Sequence, residues 1–595
     1  MGAFLLANKQ HPGFAEHEAL KVFERMGLPS PEEFSVGNWK LWSWKKIRSS
    51  ESHYVRNGAA LMVCAGTPVY KHAPNITESL NHILLDLQAG TFSYNNIRGT
   101  YSLVYSPDGN SIRFLTDQAG IANIYYDKEA GIISSSFLAV VFGLKQPLTL
   151  NRMAATEVIT CGRLIGPDTL FNEIVRLEIS LTDRIGNVDI INDKEMQGFP
   201  ENGTSGFQQS VDEQIAAIDS YFNDISNFGN HYGVDSGLTA GHDSRMLLIE
   251  GRKYFSNFQV HSFWRKAKDL ELTIAEQVAQ KAGMHLRVVE GKHQLDKTEE
   301  QLKETLQKSL YFYDGHIRMH CFLMEDYHTV EHRTEILGDK QLGMNGIGGE
   351  QYRNEWHMEM PAWSMDYFVR YALTYHLSGR CFTSNSFEKE YFKYLGGKLL
   401  RKLGLKPGTG SLAKKYIQKY YNEIYVASLM GVRTNAENAL GHFVTPFIDR
   451  QLTRSSYKAL RHHGISFAFQ QAMIRKMDPS LASVKSGYGY SFTDGEPVKK
   501  KLKYLLKEFT PASVYQNKLD KKFESAGNKD FRDYLDKYRI FADSVQFIRR
   551  FELPLNEHIF TSRPDIMPVY LSLAYFLFYL SGEGRLSTDQ FQQNR

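Results

Sequence analysis

Leu238-Thr239-Ala240-Gly241-His242-Asp243-Ser244-Arg245 is the stretch on which the reading of this chain turns. Upstream, His231 to Val234 has the composition of a short strand, and downstream Arg245 to Glu250 reads as the first turns of a helix with an apolar face. Between them Thr239, Ala240 and Gly241 are small enough to let the backbone pass close to a phosphate, whose charge would meet free N–H groups at a helix N-terminus. Thr239 and Ser244 add hydroxyl donors, His242 sits in the same loop, and Asp243 suits a magnesium ion that accompanies a nucleotide. Asp-Ser ahead of a helix is also ordinary capping chemistry, so these eight residues admit either a phosphate loop or a capping turn. A Walker loop is excluded, because it requires Gly-Lys-Ser/Thr with a phosphate-facing lysine.

Outward from this loop, 595 residues exceed what one compact core supports, so at least two domains are expected. The 42% hydrophobic and 23% charged content is that of a globular enzyme. A net charge of +4 is small for the size; it does not argue for nucleic acid, which is not expected as a partner, and it suits anionic ligands. The densest basic cluster, Lys499 to Lys507, is spaced with Leu502, Leu505 and Leu506 as an amphipathic helix with a solvated face. Cys64, Cys161, Cys321 and Cys381 show no short-range pairing for zinc or a redox dithiol, which points to a reducing cytoplasm. The N-terminus has no charged region followed by an apolar run and a cleavage site, so no signal peptide is expected. Val569 to Leu580 is strongly apolar but shorter than the roughly 20 residues that span a bilayer. It predicts a buried helix whose tyrosine hydroxyls need internal partners, and no membrane association.

Up to about residue 195 the pattern is of short alternating strands, among them Ala59 to Cys64, Tyr101 to Tyr105, Ser111 to Leu115 and Ile132 to Ser136. This predicts an α+β domain over 1–197, and the polar stretch Gly198 to Gly206 has linker composition. Over 207–595 the pattern becomes α/β. A helix at Val211 to Phe222 precedes the loop; a strand near Gln259 to Phe263, a helix at Leu270 to Ala282 and a strand at His285 to Val289 follow it. That order predicts a parallel sheet with helices on both faces and ligands beyond the carboxyl ends of its strands. From about Pro361 helical periodicity dominates, and a large helical lobe packed on the sheet is expected.

Several motifs in order resemble one family, the asparagine synthetase-like amide-forming enzymes, in which an amidotransferase-like sheet sandwich precedes an ATP-pyrophosphatase domain. Residues 238–245 resemble the family's Ser-Gly-Gly-x-Asp-Ser loop, with Thr239 for Ser and Ala240 for Gly. Asn345-Gly346-Ile347-Gly348-Gly349-Glu350 looks like its Gly-rich segment ending in Asp-Glu; by resemblance Gly346 and Gly348 join the nucleotide site and Glu350 joins Asp243 in holding Mg²⁺. His442 to Asp449 is similar to the Arg-x-Pro-Phe-Leu-Asp stretch, with Pro446 and Asp449 fixing a turn near the site. Lys485-Ser486-Gly487-Tyr488-Gly489-Tyr490 resembles the lysine-bearing loop that covers the reacting phosphate, which makes Lys485 the electrostatic catalyst. The adenine pocket falls near His261 to Phe263 by the same resemblance, and Asp269 and Glu271 open the next helix as favourable first-turn charges.

The N-terminal part resembles the family's glutamine-hydrolysing domain at Arg98 to Leu103, at Thr116-Asp117-Gln118-Ala119-Gly120 and at Leu164 to Leu177, including the Asp168-Thr169-Leu170-Phe171 turn. That domain's chemistry requires an N-terminal cysteine freed by methionine removal, and position 2 here is glycine. Ala65 stands where the family carries an oxyanion-binding asparagine, and Arg98 where an aspartate would grip glutamine. Cys64 reads as a buried strand residue, not a replacement nucleophile. The glutaminase half is therefore expected to be inactive.

The resemblance then implies an AMP-forming carbon–nitrogen ligase using ATP and Mg²⁺, in which a substrate carboxylate is adenylated and an amine other than glutamine's displaces AMP. Family members with this loss include β-lactam synthetases, carbapenam-forming enzymes and lasso peptide cyclases. Ile347 stands where β-lactam-forming relatives place a tyrosine that helps deprotonate the amine, which ranks a larger amide or macrolactam above a four-membered ring. Expected partners are a small-molecule or peptide substrate carrying carboxylate and amine, and biosynthetic partner proteins. Two alternatives stay open: ammonia-dependent amidation of a metabolite or sugar acid, and a non-catalytic partner protein that binds nucleotide.

Overall fold

The computed structural model describes residues 2–117, 120–178, 182–192, 199, 203–264, 269–290, 297–318, 322–325, 329–353, 360, 362–374, 377, 379–464, 467–526 and 528–587. Gln118, Ala119, Cys321, Pro361 and most of the linker stretch 198–202 lie outside the described residues.

Alternation of side chains along the early strands builds the first layers. In Ala3–Asn8, Phe4 and Leu6 enter one buried cluster while Ala3, Leu5 and Ala7 enter another, so both faces of this strand are covered. In Ala60–Gly66, Leu61, Val63 and Ala65 share the first cluster, and Ala60, Met62 and Cys64 turn away to a third. Two six-stranded sheets result, packed face to face. One runs Ile174–Arg176, Tyr125–Asp127, Ile132–Ser134, Ala3–Asn8, Trp39–Trp44, Glu32–Val36. The other runs Arg184–Ile185, Val188–Ile190, Arg113–Thr116, Tyr101–Ser106, Ala60–Gly66, Tyr54–Asn57. The helix Ile76–Ala89, capped by the Asn75 side chain, covers the outer face of the second sheet with Ile76, Leu80, Ile83 and Leu84.

The third large sheet has five parallel strands in the order Leu286–Glu290, Phe258–Trp264, Val234–Gly237, Leu342–Met344, His442–Val444. Its central strand begins later than the sequence suggests. His231 closes a helix, Ser226–Tyr232, and Gly233 at φ 65° turns the chain before Val234 pairs with Phe258 and Leu342. Residues 238–242 then form the turn, and the helix Asp243–Tyr254 follows. The expected helix and strand on the far side of the sheet are present as Leu270–Lys281 and Leu286–Glu290.

The helical lobe divides its packing. Leu452, Phe469, Met473 and Leu481 join the core of the parallel sheet. The helices Glu299–Phe312, Arg539–Arg549 and Met567–Gly582 instead share a core with the outer face of the first antiparallel sheet, at Leu5 and Trp44, and with Phe23 of the helix Glu16–Arg25. The lobe therefore packs on both parts of the chain, because the first sheet's strands carry apolar residues on both faces. Met567–Gly582 is buried as expected; Tyr570 donates to Glu557 at 2.9 Å and the Tyr579 hydroxyl meets that of Tyr311 at 3.1 Å. Among the described residues no helix is long and apolar enough to cross a membrane. Lys499 to Lys507 does lie in a helix, Val498–Glu508, on which Val498, Leu502 and Leu506 are 80%, 55% and 64% exposed while Leu505 is half-buried.

Candidate functional site

A cavity of about 290 Å³ opens at the carboxyl ends of the parallel strands. Thr239, Asp243 and Ser244 line it from the turn and helix start, Gly346 and Glu350 from the Gly-rich segment, and Phe263 from the neighbouring strand. Six of the residues singled out in the sequence are thus brought together.

The turn is closed by its own hydroxyls. The Thr239 N–H donates to Ser244 Oγ at 3.1 Å, the two side-chain oxygens lie 3.0 Å apart, and the Gly241 N–H donates to Thr239 Oγ1 at 3.2 Å. The capping alternative fails locally: the cap residue is His242, which makes no side-chain cap bond, and Asp243 and Ser244 lie inside the helix. The side chain of Asp243 is turned to the Gly-rich segment, where a Cβ on Gly346 would come within 2.9 Å of Asp243 Cβ and one on Gly349 within 2.2 Å of Asp243 Oδ1. Glycine at these two positions is what lets the segment close over the carboxylate.

Three residues unmarked by sequence reading complete the carboxylate pair. Arg353 donates to both Asp243 oxygens at 3.0 and 3.2 Å and reaches Glu350 Oε1 at 3.1 Å, bridging the two acids. Gln470 donates to Asp243 Oδ1 at 2.6 Å, and the Tyr421 hydroxyl donates to Glu350 Oε2. Burial pushes the Asp243 carboxyl up, Arg353 pulls it down and the charge of Glu350 raises it again. Tyr421 comes from Tyr420–Met430, a stretch with π-helical bonding inserted between the helices Lys414–Lys419 and Gly431–Leu440. Tyr421, near the start of that stretch, brings its phenol to Glu350. The spacing Glu350 to Arg353 is one helical turn, the one signal that the sequence offered for any of the three.

The side walls carry further charge. His261 Nδ1 lies 2.8 Å from Asp235 Oδ2, and Asp235 also accepts from Gln259 Nε2 at 2.9 Å. Deeper in, Arg433 donates to Glu437 at 2.8 Å and Arg333 approaches the same oxygen at 3.5 Å.

Five expected residues are absent from the lining. Ala240 is buried in the sheet's core, and Gly241 occupies the turn. His242 is 1% exposed, with its ring stacked on Phe492 at 4.2 Å. Successive residues of a tight turn point in different directions, so adjacency in the motif does not put the histidine in the cavity. Gly348, at φ 93°, is shaped by packing: a Cβ there would sit 2.6 Å from Ile448 Cγ2. Lys485 is exposed, and its backbone rather than its amine is held. Arg245 donates to the Lys485, Val484 and Leu481 carbonyls at 2.6, 2.7 and 3.0 Å, and the Gly487 N–H donates to the Ala240 carbonyl at 3.1 Å. The lysine loop is thereby pinned to the 238–242 turn.

In the antiparallel sandwich, Cys64 is fully buried and its thiol is pushed up to about 12 by burial. Arg98 is bound to Asp224 at 2.9 and 2.6 Å. A Cβ on Gly2 would lie 2.7 Å from the Cys64 carbonyl and the His53 ring. Lys46 is fully buried nearby, donating to Asn438 and Gly441 carbonyls at 3.0 and 3.1 Å, with its pKa lowered to about 7 by burial. Neither a protein-family model nor a curated protein matches the chain.

Proposed function

We propose that the chain is an ATP-dependent, AMP-forming carbon–nitrogen ligase that activates a substrate carboxylate for attack by a substrate amine, without glutamine. The observation that carries this reading is the meeting of Asp243 and Glu350 in one cavity with the hydroxyl-closed turn 238–242 and an uncapped helix N-terminus. An uncapped helix start with small residues before it binds phosphate oxygens through N–H groups. Two carboxylates facing one space fit a hard, oxygen-seeking divalent cation, and Asp243 and Glu350 would hold it. Bound Mg²⁺ would neutralise phosphate charge. Arg353, now shared by the two acids, supplies a cation against the same negative ligand. Phe263 offers an apolar wall for a base, and Lys485 is an exposed charge on a loop tied to the turn. Tyr421 and Glu350 form an acid–base pair suited to take a proton from an amine, a role for which Ile347 provides no group.

Among the described residues of the sandwich, Cys64 is buried with its thiol pushed up, and Arg98 is occupied by Asp224. The amine is therefore the substrate's own, or free ammonia. One observation favours the non-catalytic alternative, a nucleotide-binding partner: Arg353 already compensates the acids that would hold the metal. Incubation with Mg²⁺, ATP labelled at the α-phosphate and a panel of amino-carboxylates separates the two. The ligase yields labelled AMP with one substrate class and none without it. Saturable nucleotide binding with no turnover on any carboxylate would leave the partner reading standing.

A further inference from the structure

Away from the cavity, His11, Asp127 and Glu129 meet at the rim of the first antiparallel sheet, with one ligand atom from each within 4.8 Å of the others. We propose that these three residues bind a divalent transition-metal ion, zinc in class, with water completing its shell.

Two acids beside a histidine are common without a metal, and the case rests on how the imidazole is held. The His11 side chain is 8% exposed, and neither ring nitrogen hydrogen-bonds to any described residue. Its Nε2 points between the acids, 3.5 Å from Asp127 Oδ2 and 3.5 Å from Glu129 Oε2. That is too long for a charge-assisted hydrogen bond, which closes to about 2.7–2.9 Å. It matches the separation of two ligands on a tetrahedral ion with bonds of about 2.0–2.1 Å, which is roughly 3.4 Å. A neutral imidazole donor selects a transition ion over magnesium or calcium.

The seat is built into the chain. Asp127 ends the strand Tyr125–Asp127, and its Oδ1 accepts the N–H groups of Gly131 and Ile132 at 2.9 and 2.6 Å, which fixes Oδ2 toward the histidine. A Cβ on Gly131 would lie 1.7 Å from His11 Cδ2, so glycine there leaves the space that the ring fills. Glu129, with its side chain 76% exposed, closes the outer side and leaves room for water. The ion would tie the segment after Ala3–Asn8 to the turn between Tyr125–Asp127 and Ile132–Ser134.

The test uses the full chain stripped with chelator and titrated with Zn²⁺, and with Co²⁺, whose visible absorption reports a low-coordinate nitrogen–oxygen site. The expected result is one tight equivalent bound, beyond any held at Asp243 and Glu350, with its affinity lowered at least about tenfold in His11→Gln and in Glu129→Gln. Glu129 is exposed, so its variant folds whatever becomes of His11→Gln. Equal affinity in wild type and Glu129→Gln, or no stoichiometric binding to the wild type, would overturn the assignment.

Discussion

At the residue scale, Asp243 gathers most of the site. It receives Arg353 and Gln470, and two glycines leave it room. Asp243→Asn keeps the shape and removes the charge, so ATP turnover should fall by at least about a hundredfold while unfolding free energy drops by about 1–3 kcal/mol. Steady-state rates and denaturant melts read the two. Tyr421→Phe removes only the hydroxyl on Glu350; the rate should fall at least about tenfold, with stability changed by less than about 1.5 kcal/mol. An unchanged rate would take Tyr421 out of the proton pathway. Asp243, Glu350 and the small residues around them were marked in the sequence by resemblance to a series of motifs, since their types alone also fit a capping turn. Arg353, Gln470 and Tyr421 were not, since they arrive from distant segments with no motif to mark them. His242 lies outside the cavity lining for a related reason, because sequence position does not tell which way a residue in a tight turn points.

At the scale of elements, the parallel strands and their helices were readable from apolar periodicity, and the one misplaced strand start traces to Gly233. Amphipathic spacing in Val498–Glu508 identified the helix but not what its apolar stripe meets, since spacing specifies a face and says nothing of a neighbour. Leu502 and Leu506 are more than half exposed, so the double change to lysine should alter stability by less than about 0.5 kcal/mol. A chemical-denaturation difference well above that would mean the stripe is covered. The Arg245 contacts make a contrasting case. Arg245→Ala strips three carbonyls at the base of the lysine loop, and a loss of at least about 2 kcal/mol is expected from the same measurement.

At the scale of the whole molecule, the antiparallel sandwich, the parallel sheet and the C-terminal helices share buried surface, and Lys46 sits in one such contact without a carboxylate. Its folded pKa of about 7 lies below its unfolded value near 10.5. Between those limits the unfolded chain binds more protons, so this group makes stability rise as pH rises from about 7 toward 10.5, and disfavours the fold below 7. Subtracting the pH profile of Lys46→Met from that of wild type should isolate this slope; a flat difference would show the lysine to be charged and well solvated in the fold. The shared core was hidden from the sequence because both faces of the strands alternate apolar residues, which looks the same whether the second face meets a helix of its own segment or one several hundred residues away.

If a substrate carboxylate attacks the α-phosphorus of ATP, one of its oxygen atoms leaves with AMP. A carboxylate that elicits turnover is labelled with heavy oxygen, and the products are separated by mass spectrometry. AMP should carry one labelled oxygen, with pyrophosphate unlabelled. Label in inorganic phosphate together with ADP, or AMP free of label, would contradict it.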